Sequence, residues 1–210
     1  MKKVIELNKR AWDNIAKNYD NRTKQELSQT FKEFILLIPT NGKILDLGCG
    51  TGLPHTRYLV EKGFDVTGVD LSGEMVKIAM MNVPEATFFI QSMNEIMYEE
   101  EFQGVMSSFS MLLLTPELFK ETASRIHSAL KQGGFFYLSL NESSDVSVDS
   151  DSDVYVNIMG EEMYSRAYTL SEIEEVFLPL GFKVAGFNRL VHVSPEFGEE
   201  HVIEFIFEKE

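Results

Sequence analysis

A chain of 210 residues with 44% hydrophobic residues is long enough to bury a full core, and its formal charge of −14 repels phosphate backbones overall. No Lys/Arg cluster occurs beyond the first ten residues, so nucleic acid is not expected as a partner. The longest apolar runs (34–38, 111–114 and 135–138) are too short to span a bilayer, and the N-terminus lacks the apolar stretch of a secretion signal. One cysteine forms no intrachain disulfide, so the expectation is a cytoplasmic protein, monomeric or homodimeric, with no membrane partner.

Apolar positions at helical spacing (Val4, Leu7, Ala11, Ile15, Tyr19) predict a helix over residues 4–20, and 31–38 reads as the end of a second. Pro39-Thr40-Asn41-Gly42 then forms a turn. From there strand and helix alternate. Residues 43–47 read as a strand, 53–62 as a helix closed by Gly63, and 65–69 as a second strand. Ser72 caps a helix to about Met81, with Glu74 in its first turn. Strands follow at 87–91 and 104–109, then a helix over 116–130 and a strand over 135–140. This alternation predicts a parallel sheet covered by helices on both faces. Residues 141–153, rich in Ser and Asp, read as a solvated loop. A short helix over 169–180 precedes two long strands, 182–193 and 201–208, joined as a hairpin by a turn with Pro195 and Gly198. The organisation expected is one domain over 1–210. It has a helical cap (1–40), a cofactor-binding half (43–140), an acidic loop and candidate lid (141–168), and a C-terminal helix and hairpin (169–210).

Residues 44–52, ILDLGCGTG, carry the most functional information. An apolar strand ends in Asp46 and enters a turn with glycines at 48, 50 and 52; eighteen residues after Gly52 the next strand ends in Asp70. A glycine turn lets a ligand approach the backbone, and an acid at the neighbouring strand tip can accept both hydroxyls of a ribose. Together they predict a nucleoside-containing cofactor. The dinucleotide fingerprint G-x-G-x-x-G fails, because its sixth position is Leu53 counted from Gly48 and His55 counted from Gly50. The phosphate loop fails for want of a Lys-Ser or Lys-Thr pair.

Five segments occur in order: ILDLGCGTG (44–52), VTGVDLSGEMVKIA (66–79), FIQSMNEI (89–96), FQGVMSSFSMLL (102–113) and LKQGGFFYLSL (130–140). This set resembles the class I S-adenosylmethionine-dependent methyltransferases, especially the small-molecule branch of ubiquinone-biosynthesis type. The resemblance implies a Rossmann-like three-layer α/β sandwich: a seven-stranded, mostly parallel sheet with an antiparallel C-terminal hairpin strand, plus the N-terminal helical cap. It also implies S-adenosyl-L-methionine as cofactor, S-adenosyl-L-homocysteine as product and a small-molecule acceptor.

Residue by residue, it puts Gly48, Cys49 and Gly50 along the methionine portion of the cofactor. Asp46 falls near the cofactor's amino group, or else caps the following helix. Asp70 falls on the ribose hydroxyls, and Leu71 and Met75 against adenine. Ser92 stands where relatives usually carry an adenine-binding Asp, with the Met93 backbone beside it. Ser108 lies at the tip of the fourth strand, between cofactor and acceptor. Tyr19 closes over the methionine end, or is a core-facing helix residue. Gln103 also departs from the family, at a position commonly structural.

Methyl transfer from a sulfonium needs chiefly an in-line nucleophile, because the leaving group is neutral. No catalytic base is assigned. His127 lies within a helix, His55 reads as a capping or surface residue, and His192 and His201 lie in the terminal strands. No metal-ligand set is expected. Tyr164, Arg166 and Tyr168, in IMGEEMYSRAY (158–168), form a candidate lid with an anion anchor, or else pack on a sheet edge. The amino-methylating motif [DNS]-P-P-[YFW] is replaced by Ser107-Ser108-Phe109-Ser110, and Cys49 is not a Pro-Cys nucleophile, so nucleic-acid methylation falls. Two rivals remain: a non-catalytic S-adenosylmethionine-binding or scaffold protein, prompted by Ser92, and, remotely, a nicotinamide oxidoreductase.

Overall fold

The computed structural model describes residues 2–20, 27–143, 155–194 and 198–210. Helix α1 (Lys2–Asp20) buries Val4, Ala11 and Ile15 on one stripe, at the spacing the sequence dictates. Helix α2 (Gln29–Leu37) starts at Ser28, whose hydroxyl accepts from the Phe31 N–H. Then come β1 (Lys43–Leu47), α3 (His55–Glu61), β2 (Asp65–Asp70), α4 (Gly73–Asn82), β3 (Thr87–Ile90), β4 (Phe102–Ser108), α5 (Pro116–Ala129) and β5 (Leu130–Asn141). The chain continues through β6 (Tyr155–Ile158), β7 (Glu161–Tyr164), α6 (Leu170–Phe177), β8 (Phe182–Ser194) and β9 (Gly198–Lys209).

Seven strands form one sheet in the order β3-β2-β1-β4-β5-β9-β8. The first five are parallel; β9 runs antiparallel to both β5 and β8, so it alone opposes the rest. Two-sided coverage explains why β1 is buried at every position after Lys43. One face carries Ile44, Met106, Tyr137 and Ile206 beneath Phe31 and Phe34 of α2 and Leu59 of α3. The other packs Leu45, Val105, Phe136, Leu138, Phe205 and Phe207 beneath α5 and α6. No helix among the described residues is long and apolar enough to cross a membrane.

Several local readings change, with β5 starting at Leu130 rather than 135 and β9 at Gly198 rather than 201. Helix α3 starts at His55 rather than 53, because Gly52–Pro54 still belong to the turn. Asn141 ends β5 and pairs with Val202, so it is not part of the acidic loop; residues 144–154 of that loop, and Pro195, lie outside the described residues. The candidate lid is partly a two-stranded hairpin, β6–β7. It is held to α1, where Met163 packs with Ala11 and Ile15. Asn8 fastens it: its amide donates to the carbonyls of Leu113 (3.0 Å) and Tyr164 (3.1 Å) and accepts from the Tyr164 N–H (2.8 Å).

Leucine at position 8 would keep the volume but remove all three of these bonds from a largely buried site. Asn8→Leu is expected to cost about 2–3 kcal/mol of stability, measured by urea unfolding.

Candidate functional site

After β1 the backbone turns through Gly48, Gly50 and Gly52, with φ of 72, 54 and 77°. The N–H groups of Gly48 and Cys49 both donate to the Val69 carbonyl, tying the turn to β2. The glycines serve different ends. A Cβ at Gly48 would lie 2.4 Å from Cβ of Ser110, whereas a Cβ at Gly50 would meet nothing within 4 Å. Ser110 is fixed there because its hydroxyl donates to the Leu47 carbonyl at 2.6 Å and lies 2.7 Å from the Ser107 hydroxyl. Sequence reasoning assigned both glycines to ligand room; only at Gly50 does the missing side chain leave open space. The Cys49 thiol packs among Val76, Ala79, Val83 and Phe88, and burial pushes its pKa up.

Asp70 braces this turn. Its Oδ2 accepts from the Gly50 N–H (2.9 Å) and its Oδ1 from the Ser72 N–H (2.8 Å) at the start of α4. A carboxylate offers about four lone-pair sites, so each oxygen keeps acceptor capacity. Burial raises the Asp70 pKa to about 6 against the pull of these N–H bonds. Asp13 on α1 reaches the same helix start, accepting from the Ser72 hydroxyl (2.6 Å) and the Glu74 N–H (3.3 Å) while pairing with Lys9 (2.6 Å). Asp46 is buried and accepts from the Thr56 hydroxyl at 2.6 Å, so it braces the first turn of α3. Burial, with Asp70 adding repulsion, raises its pKa to about 7.

Gly48, Gly50, Asp46 and Asp70 border a cleft of about 1150 Å³, above the usual range of roughly 300–1000 Å³ for ligand pockets. All eleven residues expected at the cofactor border it: Tyr19, Asp46, Gly48, Cys49, Gly50, Asp70, Leu71, Met75, Ser92, Met93 and Ser108. The Ser92 hydroxyl donates to Asn94 at 2.5 Å, leaving its oxygen lone pairs to accept. Tyr19 meets Trp12 edge-on at 5.2 Å.

The three residues expected at the substrate do not border it. Tyr164 is buried. Arg166 is buried too, paired with Glu172 at 2.7 Å and lying over the Tyr168 ring at 4.4 Å. Its charge is already compensated inside the protein, so it is not an anion anchor. Tyr168 donates to the Leu114 carbonyl and stacks on Phe119. His55, read as a cap or surface residue, instead borders the cleft edge-on to Phe31, and burial lowers its pKa to about 4. His127 packs against Phe182, and His201 is exposed on β9.

Sequence reasoning missed Trp12, Ser28, Tyr137, Asn141, Glu200 and Glu204, which also border the cleft. A charged residue inside the otherwise apolar run VIEFIF (202–207) was the available signal for Glu204.

Residues 44–134 match the family model described as "Methyltransferase domain". This stretch, under half of the chain, is similar to methyltransferase domains. An uncharacterized methyltransferase of Synechocystis is 36% identical over 104 residues, covering 49% of each chain. A dTDP-3-amino-3,4,6-trideoxy-alpha-D-glucopyranose N,N-dimethyltransferase of Streptomyces venezuelae is 30% identical over 98 residues, 46% of this chain and 41% of that one. The chain spans about half the length of the curated relatives it matches. The methyltransferase fold extends beyond the matched domain. A SAM-dependent methyltransferase structure from Methanosarcina mazei superposes with a TM-score of 0.75 at 16% identity, over 88% of this chain and 99% of that one.

Two outcomes follow for the matched segment. Left-handed backbone costs about 1–2 kcal/mol for alanine at either glycine, so Gly50→Ala is expected to lose that much and Gly48→Ala distinctly more, by urea unfolding. An unfolded aspartate titrates near 3.8, so between that value and about pH 7 native Asp46 holds a proton that the unfolded chain has lost. Its contribution to stability therefore falls as pH rises to about 7 and is flat above. Measured against Asp46→Asn, the wild type is expected to lose stability between pH 5 and 7 and then level off.

Proposed function

We propose that the protein binds S-adenosyl-L-methionine and transfers its methyl group to a small-molecule acceptor by in-line displacement, releasing S-adenosyl-L-homocysteine. The observation that carries this reading is the pairing of Gly50 and Asp70: an open glycine backbone beside a buried carboxylate that still has acceptor capacity. When bound, the cofactor supplies a methyl on a positively charged sulfur that leaves as a neutral thioether.

Asp70 accepts the ribose hydroxyls, Leu71 and Met75 give adenine an apolar wall, and Ser92 accepts from the adenine amino group. Asp46 draws the cofactor's ammonium toward residues 48–50, where Cys49 contributes its backbone. Tyr19 and Trp12, on α1, cover the cleft and exclude water, while Ser108 faces the space between cofactor and acceptor. With a neutral leaving group the chain needs orientation more than acid–base groups. The Streptomyces relative, whose name specifies an amino sugar, supports a small-molecule acceptor, and the −14 charge argues against nucleic acid. The single buried cysteine supports a cytoplasmic setting. The Ser92 hydroxyl keeps acceptor capacity for the adenine amino group, which supports a working cofactor site.

Hydrogen bonds from two hydroxyls to a charged acceptor are worth about 1.5–3 kcal/mol each, so Asp70→Ala is expected to weaken S-adenosylhomocysteine binding by at least ~100-fold in calorimetry. An unchanged Kd defeats the site assignment. Intact binding with no transfer of labelled methyl to any of a panel of oxygen, nitrogen, sulfur and carbon nucleophiles would favour the non-catalytic rival.

A further inference from the structure

We infer that the far end of this cleft is an acceptor subsite for an amine-bearing small molecule, whose amino group is anchored by Glu204; the inference rests on the methyl-transfer reading above. Strand register supplies the geometry. Ser108 of β4 is level with Ser139 of β5, which is level with Glu204 of β9. Residues level with one another across a sheet share a face, and the Ser108 and Ser139 hydroxyls indeed lie 3.3 Å apart. Four strand steps separate β2 from β9, so Glu204 stands roughly 19 Å across the sheet from the Asp70 strand. The two ends of the cleft therefore serve different parts of a reacting pair.

Glu204 is 2% exposed and borders the cleft. Its Oε1 accepts from the Tyr137 hydroxyl at 2.6 Å, but its Oε2 is buried with no hydrogen-bond partner among the described residues. A buried carboxylate oxygen left unpaired is costly, and native proteins seldom carry one without a reason. Asn141, on the neighbouring strand, repeats the pattern. Its Nδ2 donates to Glu200 at 3.0 Å, while its Oδ1 is buried and unpartnered. As a carboxylate and a carbonyl, both atoms only accept, so a group with more than one N–H satisfies them together, which a single hydroxyl does not. Trp12 Nε1, also buried, unpartnered and on the cleft wall, offers one donor for an oxygen elsewhere on the same molecule.

Charge decides between an amine and an acid. Asp46, Asp70, Glu199, Glu200 and Glu204 border the cleft, and no lysine or arginine among the described residues does. His55 is neutral near pH 7 because burial holds its pKa at about 4. Among the described residues, the charged side chains that border the cleft repel an anionic acceptor and attract an ammonium.

Matched probes test this with the protein saturated in S-adenosylhomocysteine: tyramine against 4-hydroxyphenylacetate, and glucosamine against glucuronate, by saturation-transfer NMR and calorimetry. At least one amine is expected to bind, with its matched acid at least tenfold weaker. Glu204→Gln, which keeps an acceptor for Tyr137, is expected to weaken the amine at least tenfold while S-adenosylhomocysteine affinity stays within twofold. Asn141→Ala, expected to weaken the amine severalfold, carries the test if the Glu204 variant does not fold. Binding of no amine, acids binding as well as amines, or amine affinity unchanged in the folded variant overturns the inference. Failure of the wild type to bind S-adenosylhomocysteine instead overturns the methyl-transfer reading beneath it.

Discussion

One carboxylate organises the glycine-turn end of the cleft. Asp70, at the tip of β2, takes an N–H from the glycine turn on one oxygen and an N–H from the start of α4 on the other. The turn after β1, the end of β2 and the first residues of α4 are thereby locked to one another. Asp13 adds α1 to the same point by accepting from Ser72 and Glu74, and α1 in turn carries the β6–β7 hairpin. The roof of the cleft thus hangs from the hydrogen bonds that shape its floor.

That arrangement concentrates negative charge where water is scarce. Asp46 and Asp70 both titrate well above ordinary aspartates, because burial disfavours the charged form and each carboxylate has an acidic neighbour. A positively charged ligand relieves the same penalty, so a sulfonium cofactor is electrostatically matched to the site. The sheet order adds the location. Chain crossovers leave β1 toward β2 and β3 on one side, and β4 and β5 build the other, so the strand tips at β1 and β4 flank the crevice where open α/β sheets bind ligands. Inserting β9 between β5 and β8 extends that edge with Glu204.

Much of the site was legible because its signals are local. Positive φ at Gly48, Gly50 and Gly52, Ser72 as a helix cap and Asp70 at a strand tip are each readable within a few residues. The lid reading of Tyr164, Arg166 and Tyr168 did not hold in this sense. A motif of aromatics and one arginine looks alike whether it faces a ligand or its own helix, and Glu172 takes the charge here. His55 erred in the other direction, since only the packing of Phe31 from α2 encloses it. Gly48 and Gly50 look equivalent in the sequence; Ser110, folded back onto Leu47, makes them different.

The sequence by itself determined the order of the helices and of the seven main-sheet strands along the chain, the parallel core of the sheet, the glycine turn and the acid that partners it. Those features follow from periodicity, backbone conformation and capping, which act over a turn or two of chain. The tertiary structure alone decided which polar groups meet. Asp13 joins Ser72 across 59 positions, Tyr137 joins Glu204 across 67, and Asn8 holds Tyr164 across 156. Whether a buried polar atom finds a partner depends on packing between distant elements. That is why the glycine turn and its acid could be read from the chain, while the unpartnered oxygen of Glu204 emerged only once β5 and β9 lay side by side.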